Sequence, residues 1–590
     1  MKTYFILGII VIIIGIICYC IINKKNKSIK NNISIILFTG IITVTILIFP
    51  LMDYKNIFTK LMASFFYAIR CAGMGEDLKI LSQIDMTTRV GELYFILLNI
   101  LFVTMPVVAV GFILSYIEDI YVKIRLCLIK NKELNIFSDI NEKSLLIAKE
   151  IQNKKNKQVI FTNNKVKLDI KAICIKDKIT NIKIRKNKVV FYLISDNEDD
   201  NLNNALELID KYKEKDNIKI NVLNNKDIAT TILDSTDKGK IRVEIINEKE
   251  RAIFNLLDNK PLFLNTINNT ISILIVGCGS LGKEFLKDAT WCGMLLGYKL
   301  KILVVDKNAD NIKENIEVEA PEFLNNYDIT FINADIKSKK AIDKIKERND
   351  INYVLVSMDT DDKNLETAIM LRSLYLREYM REPIINLWVS NEYRRKQISN
   401  IVNERNNSYN LNTFGNIEDL YYENNIVNSN LEKLAIQIHL FYSPDDTNLE
   451  KYNLLEYNKQ SSRASALHIK YKIYSILKDE YTDDMYKNKE LFNKKYSKKI
   501  EELLSRNEHD RWVAYTRSIG YIHASIDEVK NYYKKTNSHI YYLAKKHPAL
   551  VEYDELDKLS KELSKICKKD IDLKSSDTEI VRNIYENIEF

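Results

Sequence analysis

Three near-continuous apolar runs open the chain, and a long stretch of alternating apolar and polar segments follows them. The runs cover residues 4–22, 33–52 and 93–116. Each is long enough to cross about 30 Å of hydrocarbon as a helix. The first run lacks a small-residue cleavage site and a second run follows it closely, which favours a retained helix over a signal peptide. The pattern therefore predicts a membrane domain of three transmembrane helices over residues 1–120.

Basic residues flank the apolar runs on one predicted side of the membrane. They occupy the loop after the first run and the segment after the third, at Lys24, Lys25, Lys27, Lys30, Lys123, Arg125, Lys130 and Lys132. Because lysine and arginine are enriched in cytoplasmic loops, the chain is predicted to be a multi-pass protein of the plasma membrane. Its N-terminus would lie outside the cell, and everything after residue 117 would be cytoplasmic.

The loop between the second and third runs contains a further apolar segment. Residues 57–70 are apolar apart from Lys60 and Arg70, and the sequence CAGMGED follows them. An apolar helix followed by Gly73 and Gly75 has the order of a pore helix and a potassium filter, in which backbone carbonyls replace the hydration shell of the ion. The other interpretation is an interfacial helix that ends in a glycine turn, because cysteine and methionine stand where the filter would have threonine and tyrosine.

Beyond the membrane domain, short apolar strands alternate with helical stretches, which is the pattern of βαβ units on a parallel sheet. Residues 188–209 and 352–371 share one plan: a buried strand, a serine, an acidic cluster, and then Asn-Leu at the start of a helix. We interpret this similarity as a duplication. The predicted fold class is therefore α/β, with two tandem Rossmann-like domains at 130–262 and 270–400 behind the membrane helices.

The second copy contains a glycine-rich turn that the first copy lacks. The turn VGCGSLG places Gly277, Gly279 and Gly282 between a strand and a helix, and the next strand ends in Asp306. In nucleotide-binding turns such glycines allow a tight turn, the approach of a phosphate and close helix–strand packing, while the acidic residue accepts the ribose hydroxyls. The alternative is that the glycines serve packing alone. The first copy has SDINEKS instead, which predicts a degenerate, structural domain.

Residues 271–400 resemble the TrkA-N, or RCK, family of regulatory Rossmann domains in the pieces VGCGSLG, VVDKN, FINADI and VSMDTDDKNLETAIMLR. The resemblance implies that this domain binds NAD(H), ATP, ADP or a similar adenine nucleotide and gates a channel or transporter. It also implies a homo-oligomer, either a dimer or a tetramer. The residues that it implies for the nucleotide site are Gly277, Gly279, Ser280, Leu281, Asp306 and Asp335, with Ser357 and Asp359 closing the fourth strand above it.

Composition argues against several other functions. The net charge of +8 is modest for 590 residues, so no nucleic-acid partner is expected. The eight cysteines are scattered without a C-x-x-C pair, which disfavours a disulfide framework or a zinc site. All six histidines lie beyond residue 430. Neither a metal centre nor the acid–base residue that hydride transfer requires is therefore predicted beside the glycine turn, and no enzymatic activity is expected.

The C-terminal part, residues 430–590, is predicted to form helices rich in lysine, glutamate and tyrosine. In SRNEHDRWVAYTRSIGY, residues 505–521, Glu508 interrupts an otherwise apolar helical face. A buried carboxylate at this place requires a cationic partner. Arg511 on the same helix and the more distant Arg463 are the candidates, and a salt-bridged core helix would by itself explain the pattern.

The run NEHDRWVAYTRSIGY, with KKHPALVEYDEL downstream, resembles the ryanodine-receptor repeat (RyR) domain, a helical module that also occurs in bacterial proteins. The resemblance covers residues 460–580 and implies a nucleotide ligand. Trp512 would stack on a base, and Arg511 would hold either a phosphate or the Glu508 carboxylate. The ligand-site residues considered for this module are Glu508, His509, Arg511, Trp512 and Arg463.

Four functions follow from these observations. The leading one is a membrane-anchored nucleotide sensor whose RCK-like and RyR-like modules control a membrane gate or permeability function, with bacterial defence as one setting. The alternative is a potassium or other cation channel or transport component gated by NAD(H) or ATP. A NAD-dependent oxidoreductase and a membrane scaffold without a ligand rank below both.

The stretch NERNNSYNLNTFGN, residues 403–416, is predicted to be a loop between the second Rossmann copy and the helical part.

Overall fold

The chain forms two compact units, Met1–Lys130 and Asn131–Phe590. The computed structural model describes residues 1–25, 29–73, 78–129, 132–162, 169–175, 177–182, 187–404, 411–421, 430–534 and 544–588.

The first unit consists of helices, and three of those described are long and apolar enough to cross a membrane. Their apolar windows are Lys2–Cys20, Ile33–Leu51 and Arg89–Leu114, which confirms the three apolar helices predicted from the sequence. A shorter amphipathic helix lies between the second and third apolar helices in the sequence and packs against both of them. The helices of this unit are α1 (Lys2–Lys25), α2 (Ile29–Ile48), α3 (Ile57–Ala72) and α4 (Arg89–Leu128).

The second unit begins with a six-stranded parallel sheet. Its strands are β1 (Glu133–Phe137), β2 (Lys157–Phe161), β3 (Ala172–Cys174), β4 (Val189–Leu193), β5 (Ile218–Leu223) and β6 (Arg242–Ile246). The strand order β3-β2-β1-β4-β5-β6 is that of a Rossmann fold. All five residues of β4 are buried, as expected for a parallel sheet with helices on both faces. The helices are α5 (Glu142–Ile151), α6 (Glu198–Tyr212), α7 (Asp227–Ser235) and α8 (Glu248–Asn259).

A second six-stranded parallel sheet repeats this arrangement. Its strands are β7 (Thr270–Val276), β8 (Lys299–Asp306), β9 (Ile329–Asn333), β10 (Tyr353–Val356), β11 (Ile384–Trp388) and β12 (Leu411–Phe414). Their order is β9-β8-β7-β10-β11-β12, which is the order of the first sheet when each copy is counted from its own first strand. The predicted tandem Rossmann-like fold is thus confirmed. The helices are α9 (Ser280–Cys292), α10 (Ala309–Glu319), α11 (Lys339–Lys346), α12 (Asp361–Tyr379), α13 (Glu392–Glu404) and α14 (Ile417–Tyr421).

One buried asparagine has the same structural role in both copies. The Asn201 amide accepts a hydrogen bond from the Ser195 backbone N–H and donates to the carbonyl oxygen of Leu223. The Asn364 amide likewise accepts from the Met358 N–H and donates to the Trp388 carbonyl oxygen. Each asparagine therefore joins the end of the fourth strand to the end of the fifth, which explains why both copies have Asn-Leu at this place.

The second sheet extends beyond residue 400, where the predicted domain ended. Its edge strand, β12, lies within the stretch 403–416 that was predicted to be a loop, so this prediction is wrong for residues 411–414, while residues 405–410 lie outside the described residues. The sequence LNTF has only four residues and does not alternate between apolar and polar positions, so it gave no strand signal. Backbone pairing with β11 holds β12 in place.

The rest of the second unit is mainly helical, which confirms the helical C-terminal part. Its central helix, Lys498–Ser518, packs against α9 of the second Rossmann copy and against the helix Leu573–Glu586. The helices are α15 (Asn430–Tyr442), α16 (Glu450–Leu454), α17 (Glu456–Leu477), α18 (Met485–Lys495), α19 (Lys498–Ser518), α20 (Ile526–Lys534), α21 (Leu556–Cys567) and α22 (Leu573–Glu586), and two short strands, β13 (Ile522–His523) and β14 (Lys546–His547), pair in parallel.

Candidate functional site

The carboxyl ends of four neighbouring strands, β9, β8, β7 and β10, surround a cavity of about 770 Å³. We call it the main cavity. It lies beside the point between β7 and β10 where the strand order reverses, and this is the place at which open α/β sheets bind ligands. The predicted site residues that line it are Gly277, Gly279, Ser280, Asp306, Asp335, Ser357 and Asp359.

Two of the three glycines in the turn are required by the fold itself. Gly277 has a φ of +83°, and a Cβ atom there would lie 2.6 Å from the carbonyl oxygen of Ser357. A Cβ atom on Gly282 would lie 2.2 Å from the carbonyl oxygen of Gly277. Both contacts are too short for any side chain, so packing alone explains these two glycines.

Gly279 has no such structural reason to be glycine. It is the N-cap residue of α9, its φ of −65° is available to all residues, and a Cβ atom there would meet nothing within 4 Å. The space that a side chain would fill belongs to the main cavity. The absence of a side chain therefore leaves the N-terminus of α9 open to a ligand, and helix N-termini favour anions because of their free N–H groups and dipole.

The corresponding helix of the first copy begins differently. Asn141 caps α5 by accepting a hydrogen bond from the Ser144 N–H, and the Ser144 hydroxyl oxygen accepts from the Asn141 N–H in return. The Asn141 amide also donates to the carbonyl oxygen of Ile194 at the end of β4. Side chains of the protein thus occupy the position that stays open at Gly279.

Asp306 joins the end of β8 to the glycine turn. One of its carboxylate oxygens accepts a hydrogen bond from the Cys278 N–H at 2.7 Å, and the other accepts from the Asn308 N–H at 2.8 Å. Each oxygen keeps a second lone pair with which it could accept a hydroxyl of the ligand. Burial and the nearby Asp306 charge raise the pKa of the Cys278 thiol to about 12, so this thiol is neutral at physiological pH.

The remaining predicted residues differ in their contacts. The Ser357 hydroxyl donates to the carbonyl oxygen of Gly277 at 2.8 Å, which fixes the turn from the β10 side. Asp335 forms an ion pair with Lys307 at 2.9 Å. A hydrogen bond from the Lys337 backbone N–H and the charge of Lys307 hold the pKa of the Asp335 carboxyl below its usual value. Leu281 packs against the hydrophobic core and is not among the described residues that line the main cavity, so its side chain helps to hold α9 on the sheet.

Four lysines at the main cavity were not predicted from the sequence. Lys283, Lys307, Lys337 and Lys363 all line it. The signal available for the first was its position directly after the third glycine of VGCGSLG. The other three lie after β8, after β9 and at the start of α12, and only the topology brings them together. Within the described part of the chain, no group of three or more His, Cys, Asp or Glu side chains is placed to hold a metal ion.

The residues singled out in NEHDRWVAYTRSIGY lie partly in the interior and partly at a second cavity. Glu508 and Arg511 are almost completely buried and form an ion pair at 2.8 Å. Lys472 forms a second ion pair with Glu508 at 2.6 Å, and the Ser465 hydroxyl donates to the same carboxylate. Burial by itself would raise the pKa of Glu508, but Arg511 and Lys472 outweigh it and hold the pKa well below the usual value.

Arg463 is not a partner of Glu508, contrary to one of the two predicted possibilities. It forms ion pairs with Glu432 at 2.7 Å and Glu456 at 2.9 Å, and a third with Glu244 on β6 of the first sheet. Two residues along a helix correspond to a rotation of roughly 200°. Since Ser465 faces Glu508, Arg463 lies on the opposite side of α17 and faces the first Rossmann copy instead.

His509 and Trp512 line the second cavity, which has a volume of about 480 Å³. The His509 ring faces the carbonyl oxygen of Val551 at 2.8 Å and the Asp577 carboxylate at 3.3 Å. Burial opposes a proton on this ring, but the two acceptors prevail and raise the pKa of His509. Trp512 packs edge-to-face on His547 with ring centroids 4.9 Å apart, and burial lowers the pKa of His547 to about 4.

Comparison with known proteins yields only a remote likeness. No protein-family model matches the sequence, and no curated protein matches it. The solved structures that are similar include the GsuK channel, at 13% identity and a TM-score of 0.31 over 67% of this chain and 94% of that chain. Another is a GsuK mutant, at 13% identity and a TM-score of 0.28 over 65% and 92%. Similarity this low supports no argument about function, and the fold is established by the chain's own strand order.

Proposed function

We propose that the protein is a membrane-anchored receptor in which a nucleotide bound in the main cavity controls a gate or permeability function of the membrane helices. The observation that carries the proposal is the open position at Gly279, which lies beside Asp306 and has no packing explanation. A ligand with phosphate and ribose groups matches the helix N-terminus and the carboxylate respectively. NAD(H) and the adenine nucleotides ATP and ADP have both groups.

The contacts of α9 favour a receptor over a scaffold. Its C-terminal end packs against α19, where the Trp291 and Tyr515 rings meet edge-to-face with centroids 6.2 Å apart. The Asn507 amide donates to the carbonyl oxygen of Met294 just beyond α9 at 2.9 Å. A ligand at one end of α9 therefore acts on a helix whose other end contacts the C-terminal part. Binding shifts a conformational equilibrium only when the ligand prefers one of the two states.

An oxidoreductase is less well supported by the residues of the cavity. Among the described residues that line it there is neither a histidine nor a tyrosine, and its four lysines are engaged in ion pairs. Hydride transfer generally requires an acid or base near the nicotinamide with a pKa close to neutrality. We therefore propose a binding role without turnover, in the plasma membrane, with the second unit in the cytoplasm and the protein assembled as a dimer or tetramer.

Asp306→Asn tests the ligand site with little change in shape. We expect the variant to bind NAD⁺, NADH, ATP or ADP about tenfold more weakly than the wild type, because a charge-assisted acceptor for the ribose is lost. Isothermal titration of the full-length protein in detergent measures this. Asp310→Asn, on the exposed first turn of α10, is the matched control and should bind like the wild type. Failure of the wild type to bind any of the four nucleotides would contradict the proposal.

A second candidate function is cation conduction, in which helix α3 would be the pore helix. This amphipathic helix lies between two apolar helices in the sequence, buries Ser64, Ala68 and Cys71, and ends at Ala72 with Gly73 as its C-cap residue. A helix in this position is compatible both with a pore helix and with the interfacial helix that the sequence also allows. Gly75, the second glycine of the possible filter, lies outside the described residues.

Gly73→Ala distinguishes the two interpretations of α3. A Cβ atom at Gly73 would lie 3.6 Å from the carbonyl oxygen of Arg70, so alanine fits and the helix should stay intact. If the segment forms a filter, we expect the potassium-to-sodium permeability ratio in proteoliposomes to change, because the carbonyls after α3 line the path of the ion. A conducting variant with an unchanged ratio would leave α3 as an interfacial helix.

We also propose that the second cavity, in the C-terminal part, binds a nucleotide ligand. Trp512 offers an aromatic face for a base, and His509 is held in a fixed orientation by its two acceptors. Glu508 and Arg511 would act indirectly by holding α19 in place, because both are buried.

A further inference from the structure

Each of the four lysines at the main cavity forms an ion pair with a carboxylate that also lines the cavity. The carboxylates come from the end of α10, from the loop after β9, from α12 and from the loop after β10. The pairs are Lys283–Glu319 at 3.0 Å, Lys307–Asp335 at 2.9 Å, Lys337–Glu366 at 2.7 Å and Lys363–Asp359 at 3.2 Å.

These ion pairs are partly exposed to solvent, so little free energy is lost when one partner is exchanged. In the pair whose lysine directly follows Gly282, the Lys283 side chain is 28% exposed and the Glu319 side chain 48%. Exposed pairs of this kind contribute little to stability. A phosphate group carries more charge than a carboxylate and accepts several hydrogen bonds from a lysine, so it can compete with Glu319 for the same ammonium group.

Lys283 is the lysine best placed to meet a phosphate. It follows Ser280 by three residues on α9, so it lies one turn beyond the helix N-terminus that is left open at Gly279. Its ammonium group contacts both carboxylate oxygens of Glu319 at 3.0 Å. The ammonium group and the helix N-terminus both present positive charge to the main cavity.

We propose that Lys283 is a phosphate-binding residue of the main cavity and that a phosphate of the ligand replaces Glu319 as its partner. The inference rests on the proposed nucleotide function and names the residue that a phosphate of the nucleotide contacts. In the absence of a ligand, Glu319 forms the ion pair with Lys283, and it therefore competes with the phosphate for the ammonium group.

The position of Glu319 connects this exchange to the C-terminal helices. Glu319 is the last residue of α10, and its carbonyl oxygen lies so close to Gly520 that a Cβ atom there would be 2.4 Å away. Three residues further on, the Glu322 carboxylate accepts a hydrogen bond from the His523 N–H at 3.0 Å and forms an ion pair with Arg517 at 3.5 Å. The end of α10 that carries Glu319 is therefore in direct contact with the turn after α19, and we expect this contact to loosen when the Glu319 side chain leaves Lys283.

Lys283→Gln, Glu319→Gln and Lys287→Gln test the inference in the full-length protein in detergent. ADP, ATP and NAD⁺ are the phosphorylated probes, and adenosine is the uncharged one. We expect Lys283→Gln to weaken binding of the phosphorylated probes about tenfold and to leave adenosine binding unchanged. Glu319→Gln should strengthen binding of the phosphorylated probes, because the competitor is removed.

Lys287→Gln is the matched control. Lys287 lies one turn further along α9 and also approaches Glu319, at 4.0 Å, but it is not among the described residues that line the cavity. This variant should bind all probes like the wild type. If the wild type binds a phosphorylated probe and Lys283→Gln binds it equally well, the inference fails while the proposed function stands. If the wild type binds no probe, both fail.

Amide hydrogen exchange tests the second part of the inference. Saturating ADP should speed exchange at residues 519–524 in the wild type, because the contact with the end of α10 loosens. The same concentration should leave this segment unchanged in Lys283→Gln. Unchanged exchange in the saturated wild type would contradict the release of Glu319.

Discussion

Gly279→Asp is expected to abolish nucleotide binding while leaving the fold intact. The side chain would enter open space in the main cavity, since nothing lies within 4 Å of the Cβ position, so no steric cost to folding arises. The new carboxylate would occupy the place proposed for a phosphate, next to the N-terminus of α9. Because like charges in contact cost several kcal/mol, affinity should fall on the order of 100-fold or more.

Two further glycine variants make the result specific. Gly279→Ala adds only a methyl group in the same open space and should weaken binding less than aspartate does. Gly282→Ala should instead lower the thermal stability, because its Cβ atom would lie 2.2 Å from the carbonyl oxygen of Gly277. Titration with NAD⁺, NADH, ATP and ADP, together with a melting curve of each variant, separates the two effects. Gly279→Asp with wild-type affinity would show that the glycine does not mark a ligand site.

Glu508→Gln is expected to cause the largest loss of stability in the C-terminal part. Glu508, Lys472 and Arg511 are each no more than 1% exposed, so the carboxylate is the buried counter-charge of two cations. Removing one partner of a buried ion pair typically lowers the free energy of unfolding by about 3–5 kcal/mol. Burial already lowers the pKa of the Lys472 ammonium group, and loss of the Glu508 charge should lower it further.

Chemical unfolding of the full-length protein, followed by tryptophan fluorescence, measures this loss. Glu502→Gln is the matched control, because Glu502 lies on the same helix with its side chain exposed. The pH dependence gives a second test. Since the folded-state pKa of Glu508 lies below its unfolded value of about 4.5, the contribution of its charge to stability is complete above that pH and is lost as the pH falls through the folded-state pKa. Equal stability of Glu508→Gln and the wild type would contradict the buried-pair interpretation.

Local sequence patterns predicted the parts of the structure in which local residues decide the outcome. The apolar runs at the start of the chain, the strand–turn–helix around Gly277 and the shared Asn-Leu plan of the two copies all follow from nearby residues. The strand β12 was missed because its pairing with β11, not its own sequence, makes it a strand. The same reason applies to Lys337 and Lys363, whose nearness to the glycine turn depends on where β9 and β10 end.

The ion-pair partners of Glu508 were likewise only partly predictable from the sequence. The spacing of residues on one helix correctly suggested Arg511, which lies three residues away. Lys472 could not be identified, because the choice among basic residues of a second helix depends on which face that helix turns towards α19. Arg463 is as basic as Lys472 but faces the first sheet, where Glu244 receives it. The distinction between Gly279 and its two neighbouring glycines likewise required the surrounding atoms.

Ion flux through proteoliposomes measures whether a nucleotide in the main cavity controls the membrane helices, as we propose. The wild type and Gly279→Asp are reconstituted side by side, and potassium flux is recorded with and without NAD⁺, NADH, ATP and ADP. We expect at least one nucleotide to change the flux through the wild type and none to change it through Gly279→Asp. Flux through the wild type that stays the same with every nucleotide would contradict the proposal.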